Sequence, residues 1–224
     1  MSFKDGSGLH LVMTGAPGTG KGTHAGVLKR KYGIAHLSTG EMLREEVKKG
    51  TEIGNQLKDH LAAGGFAPDD LMIKMVSARI EEPDCAKGFI LDGFPRTLEQ
   101  AEVLDKMLAE KGIKLDGVIE ISVPDEEIID RILGRYTCLT CGESYSDKYH
   151  KPKVAGVCDI CGGVKFSRRL DDTKETIERR LVKYRTFTYP VITYYKEKGL
   201  LHTVAGDGGV DAVAKRIDKA LKLD

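Results

Sequence analysis

A chain of 224 residues with 35 Lys plus Arg against 34 Asp plus Glu has a formal charge of +1, which excludes the global basic surplus of a nucleic-acid-binding protein. Hydrophobic residues at 41% and charged residues at 31% suit a soluble protein that builds a core. No apolar run approaches the roughly 18 residues needed to span a membrane, and the length allows one large domain or two small ones.

In chain order the sequence predicts alternating strands and helices. Leu9 to Thr14 is a short apolar strand that stops at the glycine-rich segment Gly15 to Gly22, and an amphipathic helix follows to Tyr32, with Gly33 as its stop. Ile34 to Leu37 reads as a second strand, and Ser38-Thr39-Gly40-Glu41 as a capping box opening a helix that ends near Gly50. A further helix runs from about Ile53 to Ala63 before Gly64-Gly65, and Pro68-Asp69-Asp70 opens another that Pro83 closes. Gly88 to Leu91 is a third strand, followed by the turn Asp92-Gly93-Phe94-Pro95-Arg96 and a long helix to Lys111. Val118 to Val123 is a fourth strand, with Pro124 as a first-turn proline of the next helix. From Gly134 to about Asp172 the pattern breaks up into Cys, Gly and Lys and reads as an insertion. Helical periodicity resumes from Thr173 to Lys198, interrupted at Pro190, before a last strand, Leu200 to Ala205, and a last helix, Val210 to Leu221. Five strands separated by helices predict an α/β fold, a parallel sheet with helices on both faces.

The segment Gly15-Ala16-Pro17-Gly18-Thr19-Gly20-Lys21-Gly22-Thr23 joins the first strand to the first helix. Glycines let consecutive amides turn inward and the helix N-terminus adds positive potential, so the segment can cradle phosphates, with Lys21 as a point charge on the outer ones. A general phosphate-binding loop has Ser or Thr directly after the Lys; here Gly22 stands there and Thr23 one later. Arg44 and Arg96 fall near strand C-termini, where an open α/β sheet has its ligand crevice, and guanidinium forks match phosphate oxygens. Arg131 and Arg135 share one helix face, which alone reads as a solvated face, and Arg168, Arg169, Arg179 and Arg180 follow the insertion. Asp92 emerges at the same sheet edge as Gly15, either as a turn residue or as a carboxylate that orients Mg2+ through water.

Of five cysteines, four lie within 24 residues as Cys138-x2-Cys141 and Cys158-x2-Cys161. The spacing fits a four-thiolate zinc site, closed to water and therefore structural; the alternative is two disulfides. Cys85 is left as a free thiol. Met1 to Gly8 lacks the apolar stretch of a signal peptide, and Ser2 stands where myristoylation requires Gly, so a cytoplasmic or similarly reducing location is expected.

Taken together, GAPGTGKGT (15–23), STGEMLR (38–44), LDGFPRT (91–97) and RRLDD (168–172), in this order, resemble the adenylate kinase family, and the four-cysteine insertion is similar to the long, zinc-bearing lid of some members. The resemblance covers the chain from Leu9 to its end, and within the family Gly22-Thr23 is normal. It implies a P-loop nucleoside monophosphate kinase fold with a core (1–37, 68–133 and 173–224), an AMP-binding insertion (38–67) and a zinc-binding lid (134–172). It further implies ATP contacts at Gly18, Thr19, Gly20, Lys21, Gly22, Thr23, Arg131, Arg135, Ser144, Tyr145 and Gly208, with Arg131 near the base. AMP contacts are implied at Thr39, Arg44, Gly65, Phe66, Ala67, Gly93, Phe94, Pro95, Arg96, Gln100, Arg169 and Arg180. The catalytic set is Lys21, Asp92, Arg96, Arg135, Arg169 and Arg180, and the metal set is Cys138, Cys141, Cys158 and Cys161.

The reaction so implied is ATP + AMP = 2 ADP, with Mg2+ accompanying ATP. The attacking AMP oxygen is already ionised, so charge neutralisation and alignment replace a general base. A closing lid keeps water out. A monomer without nucleic-acid or membrane partners is expected. Pyrimidine-specific relatives usually carry Ala at the position of Thr39 and a shorter lid, whereas a GTP-using relative stays open. A GTPase-like switch lacks its Asn-Lys-x-Asp motif, since the only Asn, Asn55, precedes Gln56.

Overall fold

The computed structural model describes residues 8–62 and 67–223. Its centre is β1 (Leu9–Thr14), hydrogen-bonded along one edge to β3 (Gly88–Asp92) and along the other to β4 (Gly117–Ser122), and apolar on both faces because helices cover both sides of the sheet. Outside these lie β2 (Ala35–Ser38) and β8 (Leu201–Ala205), giving the all-parallel order β2-β3-β1-β4-β8. The chain crosses β1 from one half of the sheet to the other, which opens a crevice beyond the strand C-termini.

Alternate side chains enter two cores. Val12, Phe89, Leu91 and Val118 face one layer, completed by α4 (Asp69–Arg79), α5 (Leu98–Glu110) and α8 (Tyr189–Glu197). Leu11, Met13, Ile90, Ile119 and Ile121 face the other, against α1 (Lys21–Tyr32) and α9 (Val210–Leu221). A third cluster joins Ile128 and Ile132 of α6 (Asp125–Leu133) to Ile177 and Leu181 of α7 (Lys174–Lys183).

Between α6 and α7 the alternation stops. Residues 135–167 hold a separate antiparallel sheet, β6-β5-β7, made of β5 (Arg135–Cys138), β6 (Ser144–Ser146) and β7 (Phe166–Ser167). Its buried cluster is Cys138, Tyr145 and Cys158, with Tyr136 and Phe166 packed against them. So small a core does not by itself offset the entropy of ordering such a segment.

Several local expectations shift. Ser38 makes no capping bond; it is the last residue of β2, in register with Asp92, and α2 (Thr39–Lys49) starts directly after it. The side-chain cap belongs to Thr51, whose hydroxyl accepts from Gly54 N–H at 3.0 Å in the first turn of α3 (Glu52–Ala62). The next helix, α4, ends at Arg79 before Pro83, which opens a 3-10 turn over Pro83–Cys85. Pro124 caps α6 from outside with an extended ψ of 141°. Pro190 sits in the first turn of α8, after a π-helical stretch at Tyr184–Thr188 that continues α7. The insertion is ordered, and its strands were the elements that periodicity did not reveal.

Candidate active site

The loop after β1 is shaped by glycines in positions no other residue fits. A Cβ on Gly15 (φ +135°) would stand 2.6 Å from Ile121 O, and one on Gly18 (φ +83°) 2.6 Å from Ile132 Cγ1. The N-cap of α1 is Gly20, with no side-chain capping bond and no acidic residue in the first turn. The first amides of this helix therefore keep their positive potential for an anion. The Lys21 ammonium donates to Gly15 O and Ala16 O, both at 2.8 Å, and so lies across the loop. Burial lowers its pKa to about 8; Asp92 opposes the shift, while Arg96 and Arg135 add to it.

Opposite Lys21, Asp92 ends β3 and accepts a 3.2 Å hydrogen bond from His36 Nε2 when that nitrogen carries its proton. Burial raises the Asp92 pKa, but the His36 bond and the charges of His36, Lys21 and Arg96 outweigh it and hold the carboxyl below its ordinary value. Thr39 Oγ1 donates to the carbonyls of Asp92 (3.2 Å) and Gly93 (3.0 Å), tying α2 to the end of β3. Gly93 (φ +81°) leaves no room for a Cβ, which would lie 2.8 Å from Arg96 Nη2.

Five arginines from separate segments face this loop across one cleft of about 1120 Å³, more than one drug-sized ligand requires. Arg44 comes from α2, Arg96 from the turn after β3, Arg135 from β5, Arg169 from beyond β7 and Arg180 from α7. The pKa of Arg169 is lowered to about 10, first by burial and then by Arg135 and Arg44. Arg96 is lowered by burial and by Arg180 and Arg44 against the pull of Asp92; Arg44 is lowered by burial and by Arg135 and Arg180 against Glu41 and Asp171. Guanidinium groups remain cations at neutral pH, so the cleft holds a cluster of like charge.

Neighbouring side chains orient them. Asp172 receives two bonds from Arg135 (Nε 2.9 Å, Nη2 2.6 Å), and Asp171 pairs with Arg180. Arg96 Nε donates to Gly93 O at 2.6 Å, and its backbone N–H to Gln100 Oε1 at 2.7 Å; Gln100 Nε2 in turn donates to Asp69 Oδ1 at 2.6 Å.

The cleft gathers most residues anticipated from sequence. Gly18, Thr19, Gly20, Lys21, Gly22, Thr23, Thr39, Arg44, Ala67, Asp92, Gly93, Arg96, Gln100, Arg131, Arg135, Ser144, Tyr145, Arg169, Arg180 and Gly208 all line it. Phe94 instead packs in the core and Pro95 is buried beside it, so Gly93 and Arg96 are the cleft-lining residues of that turn. Gly65 and Phe66 lie outside the described residues. Sequence reading missed Tyr149, a cleft residue whose ring lies under the Arg131 guanidinium at 4.8 Å, and the Asp69–Gln100 link behind Arg96. Spacing gives no signal for either, because both contacts are long-range.

The four sulfurs of Cys138, Cys141, Cys158 and Cys161 lie within 4.8 Å of one another, with Cys138–Cys161 at 3.7 Å and Cys141–Cys158 at 3.6 Å. These distances exclude disulfides and match the edge of a thiolate tetrahedron, about 3.8 Å for metal–sulfur bonds of about 2.3 Å. The donor set fits a metal ion bound by four thiolates with no open position. Tyr145 buttresses it: its hydroxyl donates to Cys158 Sγ at 3.4 Å and accepts from Asp159 N–H at 2.8 Å.

A crowd of partly exposed cations lining one cleft with a glycine-rich anion loop suits a ligand of dense negative charge, and the fold carrying it is that of the P-loop nucleotide-binding α/β proteins. A sequence model described as adenylate kinase matches residues 13–200. The chain is 51% identical over 213 residues to an adenylate kinase of Allorhizobium ampelinum, covering 95% of this chain and 99% of that protein. It is 47% identical over 216 residues to one of Caldicellulosiruptor saccharolyticus (96% and 100%) and 48% over 214 to one of Carboxydothermus hydrogenoformans (96% and 100%). The chain belongs to the adenylate kinase family.

Proposed function

We propose that this protein catalyses the reversible, Mg2+-dependent transfer of a phosphoryl group from ATP to AMP, giving two ADP. The observation that carries this reading is the convergence of Lys21 with Arg44, Arg96, Arg135, Arg169 and Arg180 on a single cleft. Two polyanions repel, and holding them in line costs entropy. Fixed cations supply the neutralisation and alignment in place, without solvent reorganisation.

Lys21 and the α1 amides hold the donor phosphates, with Arg131, Tyr149 and the segment around Gly208 beside the donor base. Thr39, Arg44, Ala67, Gly93, Arg96 and Gln100 form the AMP side, and Arg135, Arg169 and Arg180 close on the transferred group. Mg2+ arrives with ATP and offsets phosphate charge; Asp92, kept ionised, is the carboxylate that orients it. Residues 134–172 act as a lid that excludes water, and 38–67 as the AMP-side insertion. Cys138, Cys141, Cys158 and Cys161 would hold a zinc ion, which suits four thiolates and would keep the lid in shape without touching substrate. Our reading is of a cytoplasmic protein, a location that keeps its five cysteines out of disulfides, and of a monomer.

A coupled assay of AMP, UMP and CMP against ATP and GTP tests the reading: AMP with ATP is expected to be turned over best, and a preference for UMP would refute it. The lowered pKa of Lys21 adds a pH signature. Bound phosphate favours the ammonium, which the free protein loses as pH rises through about 8. ATP affinity is therefore expected to fall from pH 7 to 9.5, approaching about tenfold per pH unit above 8. Calorimetric titration checks this, and Lys21→Met should flatten the profile.

A further inference from the structure

The segment between β8 and α9 is Gly206-Asp207-Gly208-Gly209, and all four residues line the donor side of the cleft. Three glycines in four leave the Asp207 carboxylate as the segment's one side chain, and backbone as its chief means of meeting a ligand. Left to itself such a segment samples many conformations, Gly208 (φ +81°) and Gly209 (φ +85°) already standing where other residues rarely go. Its one side chain, Asp207, holds the peptide groups only through a partner outside the segment.

Two guanidinium groups do so from outside. Arg131 of α6 donates through Nη2 to Gly206 O at 3.0 Å. Arg216 of α9 gathers three oxygens around Nη1: Ala205 O at 2.8 Å, Asp207 O at 2.7 Å and Asp207 Oδ1 at 2.8 Å. Three consecutive carbonyls, of residues 205, 206 and 207, are thus held in place from two different helices. On the next residue, a Cβ at Gly208 would lie 3.5 Å from Arg216 Nη2, so the guanidinium also underlies the peptide that the clamp does not engage. Gly206 itself is confined, since a Cβ there would stand 2.6 Å from Val123 Cγ2.

We infer that Arg216 is a positioning residue for the donor nucleotide, fixing the glycine segment so that its backbone at Gly208 discriminates one purine donor from another. The inference rests on the proposed placement of the donor base beside Arg131 and Gly208. Arg216 touches no substrate; it acts by removing the conformational freedom that donor binding would otherwise have to quench. Its side chain is 39% exposed, so its replacement leaves no buried charge behind.

The test compares Arg216→Ala and Arg216→Lys with the unaltered protein. In Arg216→Ala the KM for ATP and the calorimetric Kd for ATP without AMP are expected to rise about five- to twentyfold. The preference for ATP over GTP should fall by a similar factor, while kcat at saturation and the KM for AMP stay within about twofold. Arg216→Lys, which keeps a cation able to reach a carbonyl, should lie between the two. An ATP Kd and an ATP-to-GTP ratio within twofold of the unaltered protein would overturn the inference, as would a parallel rise in the KM for AMP. Inactivity of the unaltered protein on AMP would instead refute the kinase reading, and the calorimetric ATP Kd would still decide the role of Arg216.

Discussion

Arg96→Ala is expected to lower kcat/KM by about two to four orders of magnitude, while the melting temperature moves by only a few degrees. Arg96 is central to the cation cluster: it feels Asp92, Arg180 and Arg44, and its position is fixed by Gly93 O and by the Gln100–Asp69 link. Removing it withdraws a preset fork from the reacting phosphates, which is a transition-state loss. Removing it also relieves repulsion on Arg44 and Arg180, which offsets the attraction lost by Asp92. Arg96→Lys keeps the charge without the fork and should fall between. Steady-state kinetics with thermal melting checks the pair, and near-normal turnover in Arg96→Ala would remove it from the reaction.

Much of this was legible because glycine and proline punctuate the chain where the backbone demands them. Leu9–Thr14 and Val210–Leu221 stand where apolar periodicity placed them, and the first helix ends at Tyr32 before Gly33 as expected, although it begins at Lys21, inside the glycine-rich segment. The capping box at Ser38 failed for a tertiary reason: the residue is needed as the last rung of β2 opposite Asp92, and strand pairing overrides the local cap. The strands of the lid escaped notice because their order does not come from a periodic apolar face. They are short, β7 having only two residues, and converge on four sulfurs and three aromatic rings. The arginines could be named from sequence as candidates, but their mutual depression of pKa depends on residues 34 to 136 positions apart coming together, which no local pattern encodes. The net charge of +1 fits this arrangement: surface positive charge is balanced, and the excess is focused in the cleft.

On the proposed reading that focusing depends on the lid, which contributes Arg135 and Arg169, and the lid in turn depends on the metal ion its four cysteines would hold. Chelation of the ion, or Cys138→Ser, is expected to free the amides of residues 135–167 to exchange rapidly while the helices of the core keep their protection. With only Cys138, Tyr145 and Cys158 fully buried, the insertion has no apolar reserve once the thiolates lose their common partner. A loss of about 3 kcal/mol of lid stability corresponds to a Tm lowered by about 6–12 °C in a protein of this size. Turnover at low temperature should fall less than stability does, because substrate phosphates can still draw Arg135 and Arg169 into place in the fraction of molecules whose lid is folded. Hydrogen exchange with and without chelator, together with melting of Cys138→Ser, decides the matter. Unchanged protection over 135–167 and an unchanged Tm would show that the four cysteines hold the lid without a metal, and that its shape comes from the stacking of Tyr136, Tyr145 and Phe166.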